Sequence, residues 1–179
     1  MTDYLALPLG EHAPDVVAAV IETSQRRITR YDRDLHIFHP VRPLYSPVHY
    51  PGNCGFIPQT AGASGDPLNI LMLSDTPYFP GCISHARPIG LLAILDHGIQ
   101  HETILACATR NLRLGRMRNY TDAQPTVLRE IEHFLSVYRA PVGKRAKVLG
   151  WRDRKAAQES IRAGHARFVS GAAKTVHET

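Results

Sequence analysis

Asp66 sits between Gly65 and Pro67 in the stretch Ser64-Gly65-Asp66-Pro67-Leu68-Asn69 and is the only carboxylate there. A carboxylate fixed in so tight a turn is placed to orient or deprotonate a water or a substrate. The basic residues are 17 arginines against 4 lysines. Arginine's planar fork suits bidentate contact with phosphate or carboxylate, so the excess points to anionic ligands without separating a small phosphate compound from nucleic acid. Arg110, Arg113, Arg116 and Arg118 crowd one short stretch. With only Tyr120 nearby to stack on a base, a solvated surface or a subunit contact is the better reading there than nucleic-acid binding. Among themselves His36, His39, His49, His85 and His97 form no H-x-x-x-H pair, and they are read as packing and surface residues, with His97, next to Asp96, the outsider for a metal.

The elements that must position these groups belong to one domain. A chain of 179 residues with 44% hydrophobic and 21% charged residues is sized for a single core that buries roughly 70% of its unfolded surface, and its composition fits neither a disordered nor a fibrous chain. Cys54, Cys82 and Cys107 are too few and too scattered for a disulfide framework or a zinc ribbon, so reduced thiols are expected. No apolar run of about 18 residues and no basic-then-apolar leader is visible, which makes the cytoplasm the default location and excludes a membrane partner.

Short apolar, β-branched runs predict strands at Val16–Glu22, Ile70–Leu73, Ile83–Arg87, Gly90–Asp96, Thr103–Cys107 and Ala146–Gly150. The proline-containing stretches His39–Pro43 and Tyr45–Pro58 read as loops or edges, since proline cannot donate to a sheet ladder. Val127, Leu128, Ile131, Phe134, Leu135 and Tyr138 recur at helical spacing behind Pro125 and predict an amphipathic helix over 124–138. A second helix is expected from Arg154 to Phe168. Residues 1–169 are read as the domain and 170–179 as a flexible tail. The sum is a mainly β (α+β) fold: a small closed or nearly closed barrel with two flanking helices.

Tyr50-Pro51-Gly52-Asn53-Cys54-Gly55-Phe56-Ile57-Pro58, followed by the 64–71 loop, resembles the core signature of the soluble, family I inorganic pyrophosphatases. The likeness continues through Phe79-Pro80-Gly81, Arg87-Pro88-Ile89-Gly90, Asp96, Ile131-Glu132-His133-Phe134, Val137-Tyr138-Arg139 and Val148-Leu149-Gly150-Trp151, in the family's order. It implies a five-stranded OB-like barrel, a site at the barrel mouth, several Mg²⁺ ions held by carboxylates, and frequently a hexamer. Carried over residue by residue, it assigns Glu22, Asp32, Asp66 and Asp96 to the metals, Asp66 and Tyr50 to catalysis, and Arg30, Arg42, Tyr138 and Arg139 to the phosphate oxygens.

The same signature shows where this chain departs from the pattern. Ser64 and Asn69 replace the outer aspartates of D-G-D-P-x-D; His101 replaces a ligand aspartate; Thr103 replaces a lysine; Cys54 replaces a tyrosine. Neutral groups bind Mg²⁺ far more weakly than carboxylates, whereas the nitrogen of His101 and the sulfur of Cys54 suit Zn²⁺ or another transition metal, with Asp66, Asp96 and His101 able to form a one-metal site. His101 reads equally as an exposed loop histidine, and Cys54 reads better as a small thiol filling a lost tyrosine's space than as a nucleophile. The expectation is a repurposed, metal-assisted enzyme that binds a phosphorylated or other anionic small molecule and has weak or no Mg²⁺-dependent activity on inorganic pyrophosphate. Two alternatives stand beside it: an active diphosphatase with altered metal use (Mg²⁺, Mn²⁺, Zn²⁺ or none), and a catalytically dead binding or oligomer protein.

Overall fold

The computed structural model describes residues 2–24, 27–40, 51–96, 98–138 and 146–177. Along the chain these form β1 (Val17–Ser24), β2 (Arg27–Asp32), β3 (Ile37–Pro40), β4 (Asn53–Ile57), β5 (Leu68–Leu73), β6 (Ile83–Asp96), β7 (Ile99–Ala108), α1 (Pro125–Tyr138), β8 (Lys147–Arg152) and α2 (Arg154–His177). Strand β1 pairs with β4, β4 with β5, β5 with β7, β7 with β6, and β6 returns to β1, so five strands close a ring. The β2–β3 hairpin extends from the end of β1, and β8 adds to β6. This is the mainly β, OB-like ring with two helices that the sequence predicts.

Alternation along the strands sends apolar residues to two cores. On one face Ile21, Ile57, Ile70, Met72, Leu91 and Ile104 meet, drawn from all five ring strands, and Ala157 and Ile161 of α2 cover them. On the other face Leu71, Ile89, Leu92, Ile94 and Leu105 pack against Ile131, Phe134 and Leu135 of α1. Strand β5 is therefore buried on both sides from Ile70 to Leu73, which explains the unbroken apolar run there. The Asp153 carboxylate accepts the amide of Ala156 at 2.9 Å and caps α2.

Four expectations need correction. Residues 53–57, read as loop or edge, form the central strand β4. Gly55 allows this: a Cβ there would lie 1.8 Å from the carbonyl oxygen of Val20, so only glycine admits so close an approach of β1. The runs 83–87 and 90–96 are one strand, because a shift of register between Pro88 and Gly90 absorbs the proline's missing donor. Arg27–Asp32, for which no strand is predicted, forms β2. Finally α2 runs on to His177, past the end at Phe168 expected for it.

Candidate active site

Three segments and one helix meet at one end of the ring. The β2–β3 hairpin brings Arg30 and Arg33, the 58–67 loop brings Ser64 and Asp66, and the start of β7 brings His101. The loop is built in two tiers. The Thr60 hydroxyl donates to the carbonyl of Ile57 (2.6 Å) and accepts the amide of Leu68 (3.0 Å), tying the loop's base. Above it the Gly62 amide donates to the Asp66 carbonyl (2.7 Å), and Gly65 supplies the left-handed turn with φ of +83°. Helix α2 holds the loop from the side, with Arg167 Nε on the Ala61 carbonyl (2.8 Å) and the Ala61 amide on the Gly164 carbonyl (2.9 Å).

Two adjoining cavities result. The larger, about 320 Å³, is lined by Arg30, Ser64, Asp66, Asn69, His101 and Arg167 among others. The smaller, about 70 Å³, shares Arg30, Asp66, Pro67 and Asn69 and adds Glu22 and Arg33. Arg33 Nη2 donates to Asp66 Oδ1 at 2.9 Å, and the Ser64 hydroxyl donates to Asp66 Oδ2 at 3.1 Å. Both side chains of the ion pair are open to solvent, 51% and 65%, so its own contribution is about 0–1 kcal/mol. It can be rearranged by a ligand. Glu22 is the opposite case: burial pushes its carboxyl above the usual range, against the pull of the Tyr31 amide (2.8 Å to Oε1) and the charges of Arg30 and His39.

Of the residues singled out from sequence, Arg30, Ser64, Asp66, Asn69, His101 and Glu22 line these cavities. Asp32 instead closes the hairpin turn: its Oδ1 accepts the amides of Asp34 and Leu35, both at 2.9 Å, and the Leu35 bond above all holds its pKa low. Asp96 ends β6 opposite Ile99, and Thr103 pairs with Asn69 and Leu92 across the sheet. Cys54 lies between Thr23 and Leu71, and burial, reinforced by the Glu22 carboxylate, drives its thiol well above the ordinary range. That environment suits packing and opposes a thiolate nucleophile. Tyr50, Arg42 and Arg139 lie outside the described residues, as does the side chain of Tyr138, which ends α1. Sequence reasoning missed Arg33 and Arg167, whose only trace was the surplus of arginine.

The donor set does not fit a magnesium cluster. Among the described residues no group of three His, Cys, Asp or Glu side chains stands together as a metal site. Ser64 and Asn69 offer neutral oxygens, and Asp66 already carries a guanidinium.

The family model for inorganic pyrophosphatase matches residues 18–169. The inorganic pyrophosphatase of Thermus thermophilus is 39% identical over 173 residues, covering 94% of this chain and 99% of the relative. That of Haloferax volcanii is 36% identical, covering 85% and 88%. In three dimensions the crystal structure of the Thermus thermophilus enzyme superposes with a TM-score of 0.88 at 38% identity, covering 93% and 99%. The Helicobacter pylori inorganic pyrophosphatase gives 0.84 at 27%, covering 90% and 98%. A five-stranded ring with this loop at its mouth, matched along nearly its whole length by such relatives, belongs to the family I inorganic pyrophosphatases, a family of phosphoanhydride hydrolases.

Proposed function

We propose that this chain hydrolyses the P–O–P bond of inorganic pyrophosphate at the paired cavities, with a metal requirement altered from the family pattern. The observation that carries the reading is the wall the two cavities share, where Arg30 and Asp66 stand together, in a chain that spans 99% of a relative named inorganic pyrophosphatase. Such relatives favour an active diphosphatase over the repurposed enzyme that the altered loop suggests. Arg30, with Arg42, Tyr50, Tyr138 and Arg139, holds phosphate oxygens. Asp66 orients a water and takes its proton; the water oxygen bonds to one phosphorus, the bridging oxygen leaves with the other, and two phosphates result. Of the family's metal positions only Glu22 and His101, besides Asp66, line the cavities; they are the remaining candidates for a divalent metal, Zn²⁺ or Mn²⁺ by the nitrogen of His101, and no step is assigned to it. Residence in the cytoplasm and a homo-oligomer, a hexamer by family pattern, complete the reading.

The test is phosphate release from pyrophosphate by the purified protein, with Mg²⁺, Mn²⁺, Co²⁺ and Zn²⁺ titrated separately. Turnover is expected with at least one metal and should fall about 100-fold in Asp66→Asn. Release with none of them overturns hydrolysis. A second reading, a protein that binds a phosphorylated small molecule without turning it over, is favoured by Ser64 and Asn69, which stand in the cavity wall where the family pattern has aspartates. It predicts pyrophosphate binding that Asp66→Asn leaves intact, with no release.

A further inference from the structure

The carboxylates that line the two cavities are already matched from within the chain. Asp66 carries Arg33 at 2.9 Å. Glu102, in the wall of the larger cavity, accepts the Ser160 hydroxyl of α2 at 2.7 Å and the Gln100 amide at 3.4 Å. Glu22 accepts the Tyr31 amide, and its burial favours the neutral form. Two of the cations involved belong to no motif of the resemblance. Arg33 comes from the turn of the β2–β3 hairpin, 33 residues from its partner, and Arg167 from the third quarter of α2, where its Nε is anchored on Ala61 and its side chain lines the larger cavity. With Arg30 in the shared wall, Arg33 in the smaller cavity and Arg167 in the larger, three guanidinium groups line the paired cavities.

We propose that these arginines stand in for divalent cations: the paired cavities bind a phosphate or diphosphate anion without any metal ion. Arg33 neutralises Asp66 as a metal would, and Arg167 and Arg30, both in the lining of the larger cavity, meet the anion. The physical basis is the guanidinium fork, which meets tetrahedral oxyanions bidentately, keeps its charge at every accessible pH, and is desolvated at less cost than an ammonium. This inference takes its anion from the pyrophosphatase reading above, but it concerns binding and does not require turnover.

The experiment is equilibrium binding of pyrophosphate by calorimetry in EDTA, alongside Mn²⁺ binding followed by electron paramagnetic resonance. It uses the wild type, Arg33→Gln, Arg33→Lys and Arg167→Gln, each checked for an unchanged thermal midpoint. Wild-type protein should bind pyrophosphate in EDTA within about ten-fold of its affinity in Mg²⁺. Arg33→Gln and Arg167→Gln should each weaken that binding about ten-fold, the loss expected for one charge-assisted hydrogen bond, and Arg33→Lys should recover part of it. Arg33→Gln should also tighten Mn²⁺ about three-fold, because Asp66 is then unmasked. Opposite changes from one substitution are not expected of a residue that merely holds the hairpin in place. Absence of binding in EDTA, or unchanged pyrophosphate binding in both glutamine variants, overturns the inference, and so does an unchanged or weaker Mn²⁺ affinity in Arg33→Gln. Wild-type binding in EDTA without phosphate release in any metal would sink the hydrolytic reading alone; release in Mg²⁺ without binding in EDTA would sink this inference alone.

Discussion

Glu22 shows how single groups at this site are set by burial and charge together. Its carboxyl is raised chiefly by desolvation, so the folded chain binds that proton more tightly than the unfolded chain does. The resulting stability is present below the unfolded carboxyl's range and lost as pH rises through the folded value. Glu22→Gln keeps an oxygen to accept the Tyr31 amide and removes the ionisation. It should raise the thermal midpoint by about 2 °C at pH 8, with the gain shrinking towards zero as pH falls to 4. Circular dichroism melts at both pH values check this; an equal gain at both would assign the effect to packing. At this scale the sequence was informative about Asp66, which Gly65 and Pro67 mark out, and about Arg30 and His101. It was silent on Arg33 and Arg167, because their relation to the loop is created by the hairpin turn and by α2, and no local pattern encodes a meeting of residues so far apart in the chain.

Elements whose apolar residues follow a strand or helix period were legible; those positioned by close approach were not. Helix α1 was found to within a residue because its buried stripe, Ile131, Phe134 and Leu135, repeats at helical spacing. Strand β4 was lost among the prolines before and after it, and its key residue is a glycine with no side chain to signal anything. That glycine is the tightest point of the ring. Gly55→Ala would press a methyl group onto the Val20 carbonyl and should part β4 from β1, which brings in Glu22, at a cost of roughly 3 kcal/mol. Urea denaturation should show the midpoint lowered with an unchanged slope. A midpoint within error of wild type would mean that β1 and β4 lie further apart in solution.

For the molecule as a whole, the net charge of +5 and pI of about 9.3 draw anions towards a mouth already rich in arginine. The family match ends at residue 169, and Ser170 and Gly171 are exposed on α2, so residues 170–179 are proposed to add nothing to the core. A chain ending at Val169 should melt within about 2 °C of the full one by scanning calorimetry, and a larger drop would show that the end of α2 is part of the domain. The two-tier 58–67 loop carries a consequence for how such a protein changes over time. Because Thr60 closes the base and Gly62 with Asp66 closes the tip, residues 63–65 are enclosed by bonds made through the backbone and through Thr60 itself. The side chains of Ala63 and Ser64 are exposed and none of the bonds that close the loop depends on them, while Gly65 is fixed by its left-handed turn. The tip is an exchangeable cartridge on a fixed mount: its charge can be rewritten one residue at a time while the barrel beneath keeps its stability, so chemistry and architecture in this fold are free to evolve at different speeds.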